Sequence, residues 1–298
     1  MNANDKITIR TIHTLDEMYE AADLQRIYWG NEIESLVPAH MLYTIVSYGG
    51  HVICAFNEDR MIGLLIGLLG TNVEESHRPA MANLLIASKR MVVLPDYRSG
   101  GIGQRLKLYQ RELAIKQGIR LVTWTFDPLR APNAHLNLRK LGGIGQVYKE
   151  NLYGTRDGNG LALFGVSDRL ALEWWVTNRR VDERLNGTRP DLALPQYLEA
   201  NATLINPTQA GAEFVLPSVQ VIDPAGALAL VEIPLNFGQM IEQDPTLAHD
   251  WQLHIREVMT KLFGLGFIVT DFLREIHEGR DRGFYVMSYD YGFDFSID

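Results

Sequence analysis

The chain has 298 residues, 46% of them hydrophobic and 21% charged, with a formal net charge of −8. A chain of that size and balance buries its own core without staples and divides into about two domains. The acidic balance argues against a nucleic-acid partner, which needs a basic face, and a single cysteine, Cys54, excludes an intrachain disulfide.

Residues 1–6 lack the apolar core of a signal peptide, and the most apolar stretch, 61–70, is too short to span a bilayer. The expected location is cytoplasmic, without membrane contact. Thr14 and Glu17 have the spacing of a capping box, and Leu15, Met18, Ala22 and Ile27 recur at helical spacing, so a helix is expected over 15–28, ended by Gly30. Pro38 suits the first turn of a second helix that ends at Gly49-Gly50. The apolar runs 51–56 and 61–69, joined by Asn57-Glu58-Asp59-Arg60, read as a hairpin, and Cys54 inside the first run as a buried thiol. A strand over 84–94 stops at Pro95. A helical pattern then runs from 102 to 117, with Ile102, Leu106, Tyr109 and Leu113 on one face and Gly118 closing it.

Residues 119–126 form another strand, broken by Asp127-Pro128. A helix is expected over 132–141, and strands near 144–153 and 161–166. The texture changes after Ser167-Asp168-Arg169, which places a domain boundary near 168. The remainder reads as strands at 213–216 and 226–233, a helix at 247–263, and strands at 267–273 and 283–290. Trp174-Trp175 is expected to pack in an interface.

The strand, glycine-rich loop and helix over 91–117 carry the chemistry. A phosphate needs several backbone N–H groups aimed at it from a tight turn, and a helix N-terminus adds its dipole. Gly100, Gly101 and Gly103 permit such a turn, and Arg98 adds a charge. No Gly-Lys-Ser/Thr follows, so this is not a P-loop, and the third glycine of a dinucleotide fingerprint is missing.

The segment Val93-Leu94-Pro95-Asp96-Tyr97-Arg98-Ser99-Gly100-Gly101-Ile102-Gly103 resembles the signature of the GNAT N-acetyltransferase superfamily, Gln/Arg-x-x-Gly-x-Gly/Ala, with Arg98, Gly101 and Gly103 in the defining positions. Thr123–Leu129, Leu141-Gly142-Gly143, Ser167–Arg169, Trp251 and Arg256 resemble a two-domain branch of predicted acyltransferases. The resemblance implies an α/β (α+β) fold. A mixed, splayed central sheet flanked by helices would occupy 1–168, and a smaller C-terminal α/β domain 169–298. That second domain would be a degenerate relative that caps the acceptor site or makes a homodimer contact. The co-substrate implied is acetyl-CoA or another acyl-CoA. The backbone of Met91, Val92 and Val93 would pair with its pantetheine arm. The amides of Ser99, Gly100, Gly101, Ile102, Gly103 and Gln104, with Arg98, would hold its pyrophosphate, and Asn133 would touch the far side of the arm. An amine would attack the thioester directly, with a backbone N–H on the cleft strand facing the oxyanion.

Two family features are absent. Leu138 stands where a tyrosine acid is frequent, and Ser88-Lys89-Arg90-Met91 where a carboxylate base is frequent. Tyr148 or Tyr153 is the substitute acid, against strand packing, and Asp127 the polar candidate for orienting the amine or taking its proton, against a turn with Pro128. Glu32 and Glu34 are candidates for binding an ammonium group, against a solvated loop. Lys89, Arg90 and Arg130 would instead attract an anionic group. The eight histidines show no ligand spacing, so no metal is expected. Three readings follow: an N-acyltransferase acting on a small-molecule amine such as an amino acid, a protein or peptide N-acetyltransferase, and a non-catalytic acyl-CoA-binding module.

Overall fold

Thr14 and Glu17 cap one another, side chain to backbone in both directions, and so start α1 (Leu15–Trp29). Such a cap contributes about 1 kcal/mol. The structure, a computed structural model, describes residues 6–30, 36–72, 77, 79–156 and 161–289. These form two compact units. The first holds the described residues up to Trp124, with Leu161 and Trp175–Thr177, and the second holds the rest.

In the first unit the strands lie in the order β1 (Ile7–Thr11), β2 (His51–Asn57), β3 (Arg60–Thr71), β4 (Leu84–Val93) and β5 (Leu121–Phe126), the last ending in the second unit. Neighbours are antiparallel except β4 and β5, which are parallel. β2 and β3 are continuous apolar runs because helices α1 and α2 (Ala39–Ser47) and α3 (Ile102–Lys116) bury them. Cys54 is fully buried, and burial raises its thiol above the usual range.

β4 is the strand that positions the site. A bulge between Ile66 and Gly67 of β3 sets Lys89 out of register. On its other side β4 pairs with β5 at Leu85↔Leu121, Ile86↔Val122 and Ala87↔Thr123. Ser88 to Val93 run on beyond the last of these pairs.

In the second unit the order is β7 (Arg169–Trp175), β6 (Ile144–Lys149), β12 (Phe267–His277), β13 (Arg280–Tyr289), β11 (Leu228–Ile233) and β8 (Thr203–Leu204). The pairings are antiparallel except β11 with β8. The long helix α8 (Pro245–Gly264) buries Trp251, Ile255, Val258 and Met259. Trp174 is fully buried and its indole N–H donates to the Leu141 carbonyl.

Two expectations change. Residues 161–166 form no strand. Phe164 and Gly165 both take positive φ and turn the chain so tightly that Leu163 and Val166 bond each other in both directions. The helix expected over 132–141 begins as α4 (Ala131–Ala134) and widens into a π-helical turn, His135–Lys140, in which the Leu141 amide reaches back to the Leu136 carbonyl.

Candidate functional site

The loop after β4 is built by backbone conformation. Residues Pro95–Tyr97 make a short 3-10 turn, Ser99 takes φ 64°, and Gly101 takes φ 77° at the N-cap of α3. Left-handed φ costs a non-glycine residue about 1–2 kcal/mol, which explains glycine at 101. No side chain caps α3, and its first turn carries no acidic residue, so the leading amides and the positive end of the dipole face outward. An ideal Cβ at Gly101 meets no atom within 4 Å, so the space beside the N-cap of α3 is open. That combination fits a phosphate.

The edge of β4 leads to the same loop. The Leu94 amide bonds the Ile62 carbonyl of β3. Peptide groups alternate along a strand, so the Val92 amide also faces β3, while those of Met91 and Val93 face the opposite, open side. Arg98 folds back and donates from Nε to the Val93 carbonyl at 3.1 Å, tying the loop to that edge. Thus Arg98, Ser99, Gly100, Gly101, Ile102, Gly103 and Gln104 are brought into one turn at the end of the strand that carries Met91 and Val93.

Behind β4 lies a polar group that the apolar periodicity of α3 did not reveal. Lys107 is 2% exposed. Its Nζ donates to Ser88 Oγ at 2.9 Å and to Gln110 Oε1 at 3.3 Å, and it lies 3.3 Å from the centroid of the Trp124 ring. The Gln110 amide approaches His51 Nε2 at 2.8 Å. Burial holds the Lys107 ammonium well below the usual lysine range. Burial, with Lys107 second, lowers His51 to about 4, so its ring is neutral. Lys107, Gln110 and Ala114 recur at helical spacing as a second buried stripe, which would have been the signal.

The other candidates belong to the second unit. Asp127 is a turn residue: its Oδ1 accepts from the Leu129 amide at 2.9 Å, and its Oδ2 lies 3.5 Å from Arg130 Nε. Asn133 is exposed on α4. Tyr148 is tied by its hydroxyl, which donates to Asp168 Oδ2 at 2.8 Å. Burial, and then the Asp168 charge, push that phenol far above its usual range. Asp168 also accepts from Arg256 at 2.7 and 2.8 Å and from the Asn151 amide at 2.9 Å. Burial works to raise its carboxyl, but Arg256, Asn151 and Tyr148 together hold it below the usual range. Tyr153 OH lies 3.5 Å from Thr125 Oγ1. Glu32 and Glu34 lie outside the described residues. Among the described residues no cluster of His, Cys, Asp or Glu could hold a metal ion, and no helix is long and apolar enough to cross a membrane.

No family model matches the chain, and no curated protein matches it. Solved structures of partial likeness exist. An acetyltransferase of the GNAT family from Streptococcus pneumoniae is 14% identical over 56% of this chain and 98% of its own, with a TM-score of 0.44. The ribosomal-protein-S18-alanine N-acetyltransferase from Escherichia coli is 14% identical over 57% and 94%, with a TM-score of 0.42. NAA60 from Arabidopsis thaliana, in complex with a bisubstrate analogue, is 13% identical over 57% and 97%, with a TM-score of 0.46.

Proposed function

We propose that the protein is an acyl-CoA-dependent N-acyltransferase that moves an acetyl or larger acyl group, such as succinyl, to the amine of a small molecule, an amino acid being the favoured class. One observation carries this reading. The N-terminus of α3, which no side chain caps and which starts at Gly101, follows directly on β4, whose Met91 and Val93 amides face away from β3. A coenzyme A has the matching parts in the same order: a pyrophosphate for helix amides, and an amide-bearing arm for a strand edge.

Bound acyl-CoA supplies an acyl group already activated as a thioester. The amides at the start of α3 bind the pyrophosphate, and Arg98 exchanges its internal partner, the Val93 carbonyl, for a phosphate oxygen. The Met91 and Val93 peptide groups orient the arm. Asp127 is the proposed acceptor of the amine proton. Tyr148 is the less favoured proton donor, because its hydroxyl is already given to Asp168. The engagement of both side chains favours one second reading, an acyl-CoA-binding module without turnover.

The test is thiol release from acetyl-CoA and succinyl-CoA against a panel of amino acids, amines and peptides. Release that depends on one acceptor class supports the enzyme and names its substrate. Calorimetric CoA binding with no release on any acceptor selects the module. Gly101→Glu, placing bulk and negative charge before the helix amides, should abolish CoA binding. Unchanged affinity in a folded variant removes the loop from the proposal.

A further inference from the structure

Three arginines of the second unit meet beside a bulge in β12, between Val269 and Asp271. Arg180 and Arg184 come from one turn apart on the helix α5 (Arg179–Leu185), and Arg139 from the π-helical turn His135–Lys140. Arg180 Nη2 donates to the Thr270 carbonyl at the bulge. Arg184 Nη2 donates to Asp271 Oδ2 at 3.2 Å, and Arg139 Nη1 lies 3.2 Å from the same oxygen. The side chains of Arg139 and Arg184 are 9% and 5% exposed.

Buried cations need carboxylates and acceptors, and here both run short. Asp271 is the one buried carboxylate that pairs with them among the described residues. The second carboxylate, Asp191, is 68% exposed and lies on the connection from α5 to α6 (Leu194–Glu199). Its Oδ1 accepts from Arg139 Nη1 at 3.0 Å and from Arg184 Nη1. Its Oδ2 has no hydrogen-bond partner among the described residues. The Nε donors of Arg180 and Arg184 are buried without an acceptor among those residues. Burial, and then the charge of Arg189, hold the Arg180 guanidinium down at about 10.

A network that only fastened the connection to the sheet would not need this arrangement. The backbone already does that work: Arg139 Nη2 donates to the Leu192 carbonyl at 3.0 Å, and the Leu194 amide to Glu275 Oε2 at 2.7 Å. Polar groups at such depth are normally satisfied, whereas here donors are left over. Asp191 is tethered and brings one oxygen to two guanidiniums. A free carboxylate is not tethered and brings both oxygens, which suits the planar fork of arginine.

We propose that Arg139 and Arg184 form a binding site for a small free carboxylate, and that the side chain of Asp191 holds the place which that ligand takes. The inference does not rest on the acyl-CoA reading, and none of these residues belongs to its loop or strand.

The test uses acetate and succinate as probes on the full chain, with sodium chloride at equal ionic strength as the control. Unfolding midpoints and calorimetry are read on the wild type and on Asp191→Ala. Removing the internal competitor should raise acetate affinity about tenfold. The midpoint lost in Asp191→Ala should return with acetate, saturably. In the wild type, acetate should shift the Arg184 Nε–H resonance. Arg184→Met should abolish both responses. Should that variant fail to fold, Arg184→Lys, which keeps the charge without the fork, should weaken acetate binding about tenfold. A midpoint of Asp191→Ala that rises no more with acetate or succinate than with chloride overturns the proposal. Rescue of Asp191→Ala without binding to the wild type at roughly a hundred times the variant's Kd would make Asp191 a fixed part of the fold, and overturns it too. A response that survives unchanged in the Arg184 variants places the probe elsewhere. Phosphate binding more tightly than either probe overturns the assignment to carboxylates.

Discussion

The hydroxyl of Tyr148 donates its proton to Asp168 at 2.8 Å, in a site where Arg256 closes on the same carboxylate from the other side. A phenol held in this way stays protonated across the physiological range and gives its hydrogen to no one else. Tyr148→Phe should therefore cost about 1.5 kcal/mol of stability, the value of a hydrogen bond to a charged group. It should leave most of the acyl-transfer rate and the shape of the pH–rate profile intact. Thermal unfolding and steady-state kinetics check this. A collapse of kcat with unchanged stability would return Tyr148 to the role of acid.

Arg256 is the counter-charge of a carboxylate that is 5% exposed. Removing it strands Asp168 in a desolvated position, so Arg256→Met should destabilise the protein by about 3 kcal/mol. The pH dependence has a definite sign. The folded-state pKa of Asp168 lies below its unfolded value, so the stability it contributes is complete above the usual carboxylate range. That contribution is lost as pH falls through the depressed value. Asp168→Asn should lower stability at neutral pH and flatten this part of the acid limb, read from unfolding midpoints at stepped pH. An acid limb as steep in the variant as in the wild type would move the effect to other carboxylates.

Asp127 separates two roles by a single atom. Asparagine keeps an oxygen for the Leu129 amide and so preserves the turn, but it loses the charge beside Arg130. If Asp127 receives the amine proton, Asp127→Asn should lower kcat about tenfold or more at unchanged CoA affinity, within the usual range for a lost general base. Full activity would leave it as a turn residue.

Features fixed by neighbours in sequence were legible before the structure. The Thr14–Glu17 capping box, the 51–69 hairpin and the glycine loop each follow from local chemistry that leaves a mark at fixed spacing. Residues 161–166 misled because Leu, Phe and Val are strand formers, while the turn is set by positive φ at Phe164-Gly165, a conformation composition does not display. The short helix α5 (Arg179–Leu185) was missed although Asn178 caps it, since a charged segment lacks apolar periodicity. Lys107 was missed for the converse reason. A search for apolar stripes passes over a buried amine, and the partners that explain it, Ser88 and Trp124, come from strands distant in sequence.

Gly67 offers a test of the polar layer to which Lys107 belongs. A Cβ at Gly67 would lie 2.1 Å from His51 Nε2 and 2.7 Å from two carbons of the same ring. The ring is 4% exposed and bonded to Gln110, so it cannot swing away without breaking that bond. Gly67→Ala should therefore destabilise the protein by about 1–3 kcal/mol, the cost of overpacking a close-packed interior. Adding His51→Ser should recover part of the loss, since the clash goes with the ring, and the two changes should be non-additive in a double-mutant cycle. Gln110 bonds both His51 and Lys107, so the displaced ring should also disturb the hydrogen bond from Lys107 to Ser88. Additive changes would show that the layer under β4 does not act as one unit.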